Sequence, residues 1–599
     1  MSCNADCKCR KGIVALVFVP GIMGTRLMNK KSGDSVWDPA AGGKFSGPSS
    51  TAMELKAERE AELAAAQADD DDGFFEGIGK WFNRKWIGIK EKGRGIAETG
   101  RKYRTKAAAW PRIKDLIFAG PVQRKALLVN GKTKKKGDPI IDRDDHLLVE
   151  DPGTDKYFRV YTSVPKSQME LKKRRGWGEV LWDSYGPLLR YLESKEPLFK
   201  RLYPGLQFPV FAVGYNWMRS NEYAGKRLKD KLEEFRTQLL KEDKEGDNLG
   251  LTKDDIKFVV ISHSMGGYAS RAGFILSGLE SQVEAVIHGA MPTHGSPSTY
   301  FQFRCGAVGH GAVGQVVKMV LGKNAADTTA ILGFCQGGLE LMPNKLYVDA
   351  ANKGEWLFVN KDPAKQPDKR ELLQIGYGSG IYDFYRRFDA WYSLVQPPLL
   401  APELANPADE QLEKHKNAFL NRITKCETFH DKLAANFHKT TTLLYSNNPD
   451  TKAFDTCEWQ LQNGLTPGLE TAAVERWQVI GDENHGWLSV KGEVKLLSSS
   501  ELAEHERKLK SWMEQNRYGH QYAHMPPRAQ STSFRLGSET AKGDGTVHEG
   551  AGKYPKGVQT IGLVATQDHQ GFYNCPDVRE LMVGVLQSWL PDIHQKFKG

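Results

Sequence analysis

Short apolar runs that read as buried strands recur along the 599 residues, each followed by a turn or a helix-patterned stretch. They are residues 13–19 (IVALVFV), 208–213 (FPVFAV), 256–261 (IKFVVI), 283–287 (VEAVI), 440–445 (TTTLLY) and 558–565 (VQTIGLVA). Most are dense in β-branched and aromatic residues with little polar alternation, the composition of strands covered on both faces. A last helix is expected over 578–589, where Leu581, Val583, Val585, Leu586 and Trp589 carry the apolar pattern. Strands alternating with helices predict an α/β fold, with a mostly parallel sheet and helices on both faces.

Two stretches depart from that alternation. The first, 42–140, opens Ala/Glu-rich, passes the acidic run at 69–72 and then reads GFFEGIGKWFNRKWIGIK. On a helical wheel Phe74, Phe75, Ile78, Trp81, Phe82, Trp86 and Ile89 share one side, with Lys80, Asn83 and Lys90 off it. Lys85 and Ile87 break the pattern, so two expectations stand: a surface helix packed on the core, or a lid helix that meets lipid. The second, 298–542, holds a Gly-rich apolar run at 306–322 and a polar, helix-prone segment at 498–516. An insertion of that length predicts a cap over a binding site. The chain therefore divides into a first core strand and its loop (13–41), an inserted cap or lid (42–140), a core segment (141–297), an inserted cap with one core strand near 440–445 (298–542), and a C-terminal core segment (543–599).

Composition narrows the class. Hydrophobic residues at 40% and charged residues at 26% fit a globular chain, and no run of about 18 apolar residues appears. The apolar run at 13–19 is too short for a secretory signal, so any export is expected to use a route without a cleaved leader. Lys and Arg outnumber Asp and Glu by 83 to 73, which serves solubility or attraction to anionic surfaces such as phospholipid headgroups. No nucleic-acid-binding module is recognisable. Cys3, Cys7 and Cys9 cluster without nearby histidines, and Cys305, Cys335, Cys426, Cys457 and Cys575 lie far apart. Isolated thiols are expected rather than a metal site or a disulfide framework.

The chemistry concentrates where the run at 256–261 ends. Residues 257–274 read KFVVISHSMGGYASRAGF, an apolar strand running through Ser264 into a helix-patterned stretch. A strand–turn–helix with a serine at its apex is the context of a nucleophile elbow, which requires small residues two positions away. Gly266 satisfies this, while Ser262 stands where glycine is usual. His263 is adjacent to the serine and is expected to point away from it, in a structural role. Acyl transfer also needs two backbone donors for a tetrahedral oxyanion. The N–H of Met265 is one candidate, and either Ile22 or Met23, in the glycine-flanked loop Pro20-Gly21-Ile22-Met23-Gly24, is the other. In hydrolases of this type the acid and then the histidine follow the serine. Asp544, in GDGTV, and His569, in TQDHQG, hold those places, with Asp482 and His485 of GDENHG as a competing pair. His548 precedes the final strand, and His294 of MPTHGS is expected at a pocket rim.

Taken in order, VPGIMGTRL, GYNWMRSN, ISHSMGGYASR, GAMPTHGSP and GDGTV resemble the motifs of α/β-hydrolase lipases related to lecithin–cholesterol acyltransferase and the GPI-inositol deacylases. The likeness spans about residues 13 to 590, with the insertions matching poorly. Within that group the chain looks most like a type VI secretion lipase effector of the fourth effector family. The resemblance implies a phospholipase of the A type, A1 being the class expected, with Ser264, Asp544 and His569 as its triad and no metal or organic cofactor. It further implies a toxin made in a bacterial cytoplasm and delivered into a rival's periplasm, with membrane phospholipid as substrate. A cognate immunity protein and a component of the secretion apparatus are the implied partners. An acyltransferase or neutral lipase of the same fold is the near alternative. A non-catalytic membrane-disrupting protein, acting through the aromatic segment near Trp81, is the distant one.

Overall fold

Every residue of the first strand, β1 (Gly12–Val19), is buried, and its side chains divide by parity. Ile13, Ala15, Val17 and Val19 join one apolar cluster, and Val14, Leu16 and Phe18 join another. Successive side chains of a strand point to opposite faces, so one strand feeding two cores lies in a sheet covered on both sides. The computed structural model describes residues 11–30, 35–37, 120–129, 147–149, 164–246, 248–307, 321–404, 410–462, 474, 477–483, 487–491, 507, 532–564 and 568–597. The aromatic segment at 73–90, His485 and the three N-terminal cysteines lie outside the described residues.

The remaining strands of this sheet are β2 (Leu206–Gln207), β3 (Val210–Ala212), β4 (Ile256–His263), β5 (Val283–Gly289), β6 (Thr441–Ser446) and β7 (Gln559–Leu563). Their order is β7-β6-β5-β4-β1-β2, β3 also pairs with β1, and every pairing is parallel. Of the strand expected at 208–213 only Val210–Ala212 forms, with the short β2 just before it. Pro209 has no N–H, so only its carbonyl serves the ladder, accepting from Leu16 N at 2.9 Å, and regular pairing stops on either side.

Helices α1 (Trp182–Ser194), α2 (Asn221–Glu245), α3 (Gly266–Leu276), α4 (Glu410–Leu433) and α5 (Pro576–Gln595) include those that cover the sheet. Leu228, Leu232 and Phe235 of α2, with Ala269 and Phe274 of α3, pack with the odd-numbered side chains of β1. Leu188 and Leu189 of α1, with Val578, Met582 and Leu586 of α5, pack with the even-numbered ones. The α5 helix passes the expected 578–589 at both ends: Cys575 in extended conformation and Pro576 in the first turn start it, and buried Leu590 and Ile593 continue its apolar stripe to Gln595. No helix of the described residues is long and apolar enough to cross a membrane.

Among the described residues a second, six-stranded sheet is formed between 357 and 536, in the order Glu371–Leu372, Leu357–Asn360, Cys457–Leu461, Thr532–Leu536, Trp487–Lys491, Gln478–Glu483. Between β6 and the Asp544 loop the chain enters this sheet and returns. Strands Lys452–Ala453 and Ala541–Lys542 pair antiparallel and tie the base of that excursion. Two distant segments are thereby returned to one place beside the central sheet.

A buried carboxylate fastens the helical layer. Glu340, 1% exposed, accepts the backbone N–H and side-chain amide of Asn221 at Oε2, both at 2.8 Å, and the Gln336 amide at Oε1. Its backbone carbonyl accepts from His430 Nε2 of α4 at 2.8 Å. Burial lifts the Glu340 carboxyl from 4.5 to about 8, against the opposing pull of those hydrogen bonds. A folded pKa above the unfolded one means that stability is full below about 4.5 and is lost as pH rises through about 8. Unfolding melts at about pH 5 and about pH 8 are expected to differ by on the order of 3 kcal/mol more in the native protein than in Glu340→Gln. Identical pH profiles for the two would remove the assignment.

Candidate active site

β4 ends at His263 and α3 begins at Gly266, so the whole crossing from strand to helix consists of Ser264 and Met265. Ser264 is forced into the left-handed region, with φ +52°. Its N–H donates to Gly289 O at 2.9 Å, which fixes the apex against the end of β5. A Cβ at Gly266 would lie 2.4 Å from Pro20 O and 2.5 Å from Val19 O, backbone atoms that have no room to retreat. A Cβ at Gly21 would lie 2.9 Å from Ser264 Cβ. Glycine at these two positions lets the loop after β1 close on the serine. Strain gathers here: of the six described non-glycine residues with positive φ, Met23, Ser264 and Ala290 follow the ends of β1, β4 and β5.

Ser262, where glycine is usual, has a partner. Its hydroxyl hydrogen-bonds His288 Nδ1 at 2.6 Å, and the two residues face each other across β4 and β5. The serine therefore fits its place through a buried cross-strand bond that its own spacing does not reveal.

The structure brings Ser264, His569 and Asp544 into one line. His569 Nε2 lies 2.9 Å from Ser264 Oγ, and His569 Nδ1 lies 2.8 Å from Asp544 Oδ2. The other carboxylate oxygen accepts the N–H groups of Thr546 at 3.0 Å and Val547 at 2.8 Å. Gly543, next to the acid, is held to the end of β6 by the Ser446 hydroxyl, which donates to Gly543 O at 2.7 Å. Burial alone would lift the Asp544 carboxyl, yet the facing His569 and these hydrogen bonds bring it below its ordinary range. An ionised Asp544 requires His569 to carry its proton on Nδ1. The lone pair of Nε2 then faces the serine hydroxyl, which donates to it, as a general base requires.

On the opposite side, two tyrosine hydroxyls grip one peptide unit. Tyr215 donates to Pro20 O at 2.9 Å, and Gly21 N–H donates to the Tyr185 hydroxyl at 3.2 Å. Gly24 N–H turns back to Gly21 O at 3.1 Å, and Met23 O accepts the Trp37 indole at 2.6 Å. Among the described residues no acceptor takes the N–H of Met265, Ile22 or Met23, so these donors stay available to a substrate oxygen. The Tyr185 and Tyr215 clamp was not anticipated from sequence.

The other candidates stand elsewhere. Asp482 belongs to the edge strand of the second sheet, and His485 lies outside the described residues. His548 is buried and bonds Tyr347 at 3.1 Å rather than His569. His294 is half-buried, its carbonyl accepting from Asn344 N, and burial lowers its imidazole pKa to about 3. Cys335, Cys426, Cys457 and Cys575 are buried and Cys305 half-buried, each outside any disulfide among the described residues. Among the described residues no three His, Cys, Asp or Glu side chains group as metal ligands.

No family model matches the chain, and no curated protein matches it. Among solved structures it is similar to a chain of the crystal structure of the Tle4–Tli4 complex, with a TM-score of 0.61 and 21% identity over 98% of this chain and 99% of that one. At that identity the likeness is one of fold. It covers both chains almost end to end, and with the parallel sheet and its two helical layers it makes this an α/β-hydrolase fold.

Proposed function

We propose that the protein is a serine ester hydrolase that cleaves acyl esters of membrane glycerophospholipids, an A-type phospholipase with A1 as the expected class. The observation that carries the reading is the unbroken line Ser264 Oγ, His569, Asp544, at 2.9 and 2.8 Å, set on a strained elbow. Ser264 attacks the ester carbonyl while His569 Nε2 takes its proton, and the oxyanion meets Met265 N–H and an N–H from Ile22 or Met23. The same imidazole returns the proton to the departing lysophospholipid oxygen, and water then releases the fatty acid from Ser264.

The sequence motifs add an antibacterial effector role, with export from a bacterial cytoplasm by a type VI apparatus to a target periplasm. They also add a cognate immunity protein. The fold likeness to a chain crystallised in a complex of Tle4 with Tli4 supports both.

The direct test offers purified protein to phosphatidylethanolamine–phosphatidylglycerol vesicles, and in parallel to a fluorophosphonate whose site of attachment is mapped. Free fatty acid with lysophospholipid, together with modification at Ser264, is the expected result. Ester transferred to another lipid, or cleavage of neutral glycerides alone, would replace the substrate class. Vesicle leakage without ester cleavage or labelling would sink the hydrolase reading.

A further inference from the structure

His263 is spent on neither the nucleophile nor the core. It is 1% exposed, and its ring lies 4.8 Å from that of His569, centroid to centroid, at 41°. His263 Nε2 is 2.9 Å from the backbone carbonyl of His569, and Nδ1 is 3.0 Å from the Tyr185 hydroxyl. The direction of each bond follows from chemistry. A carbonyl only accepts, so Nε2 carries a proton. Burial, with His569 alongside, brings the His263 imidazole pKa from 6.5 to about 3, so the ring is neutral and Nδ1 offers its lone pair. Tyr185 must then donate to Nδ1, and its oxygen in turn accepts the Gly21 N–H at 3.2 Å. Donation runs one way, from Gly21 to Tyr185 to His263 to His569.

The geometry points to His263 as a positioning residue, which fixes the backbone of the base and ties it through Tyr185 to the loop of the proposed oxyanion donors. The inference rests on the hydrolase reading above. The carbonyl of His569 also takes the Phe572 N–H, but at 3.4 Å, so His263 supplies its shorter bond. Ser264 reaches both ends of the relay, since the base must meet its hydroxyl and the loop must meet the oxygen formed on its substrate. A displacement of about 1 Å at such a centre costs about 100-fold in rate. One neutral imidazole with two opposite hydrogen bonds holds both partners in register.

The test uses turnover of a short soluble ester and the rate of fluorophosphonate attachment to Ser264, in the full chain. His263→Phe, which keeps the ring and loses both bonds, is expected to slow both by about 10- to 100-fold, with KM within about twofold of native. His263→Gln, which restores a donor toward His569, recovers most of that loss. Tyr185→Phe produces a smaller loss, and its combination with His263→Phe costs less than the product of the two single losses, because both remove the shared Tyr185–His263 bond. Native rates in His263→Phe, equal losses in the Phe and Gln variants, or multiplying losses in the double variant would overturn the inference. If His263→Phe fails to fold, His263→Gln and Tyr185→Phe decide the matter: a rate unchanged in Tyr185→Phe refutes the relay. Absence of labelling in the native protein would instead strike the hydrolase reading, so the two failures are separable.

Discussion

Ser264→Ala is expected to lower ester turnover by about a million-fold and to leave vesicle binding and fold almost unchanged. The size of the loss follows from what one oxygen does in this site. In the proposed mechanism Ser264 Oγ is the atom that attacks, and it is the hydrogen-bond partner of His569 Nε2 at 2.9 Å, so without it the base has nothing to activate. The remaining donors could still polarise an ester carbonyl, which leaves only the residual catalysis of an oxyanion site acting on water. Stability should change little. Alanine retains the Cβ that already occupies the strained φ of +52°, and the His569 side chain, 13% exposed, can take a water where the hydroxyl stood. Initial rates on vesicles, with co-sedimentation and thermal melts as controls, measure all three effects. Residual turnover above about one part in a thousand, in protein free of native contamination, would mean that another group attacks the ester. A variant that no longer sediments with vesicles would mean that Ser264 is part of the docking surface.

Much of this centre is legible in the amino-acid order because its physics is local. β1 and β4 read as near-continuous apolar runs since both faces of each are buried, and the tight turn demands Gly266 within two residues of Ser264. Pro209 also acts locally, and its missing N–H explains why the strand expected at 208–213 forms only over Val210–Ala212. What escapes a reading of the chain depends on partners far away. Tyr185 meets Gly21 across 164 positions, and no spacing announces a hydroxyl that will orient a peptide bond. Ser262 departs from the usual glycine, and the partner that fits it to its place, His288, faces it from the next strand. The second sheet is hidden for the same reason, since Cys457–Leu461 is short, half polar, and paired with Leu357–Asn360 a hundred positions earlier. The order serine, acid, histidine singled out Asp544 and His569, but their meeting depends on the pairing of Lys452–Ala453 with Ala541–Lys542, which returns the chain to the end of β6.

Asp544→Asn should cost about 10⁴-fold in turnover while leaving the site's geometry intact. Asp544 Oδ1 takes two backbone N–H groups, from Thr546 and Val547, and only an oxygen can hold that place. The amide nitrogen of an asparagine is therefore turned toward His569, where the native Oδ2 accepts from Nδ1 at 2.8 Å. An N–H group facing Nδ1 requires Nδ1 to be the acceptor, so the imidazole proton moves to Nε2. His569 then presents a donor to Ser264 Oγ, and the serine loses its base although every heavy atom stays in place. Nitrogen chemical shifts of the His569 ring should show the proton on Nδ1 in the native protein and on Nε2 in the variant. Asp482→Asn, on the edge strand of the second sheet, should leave the rate within about twofold. If Asp544→Asn kept native turnover while Asp482→Asn lost it, the acid would have to be sought outside the Asp544 loop. If both kept it, His569 would be working as a base without a carboxylate to set its tautomer.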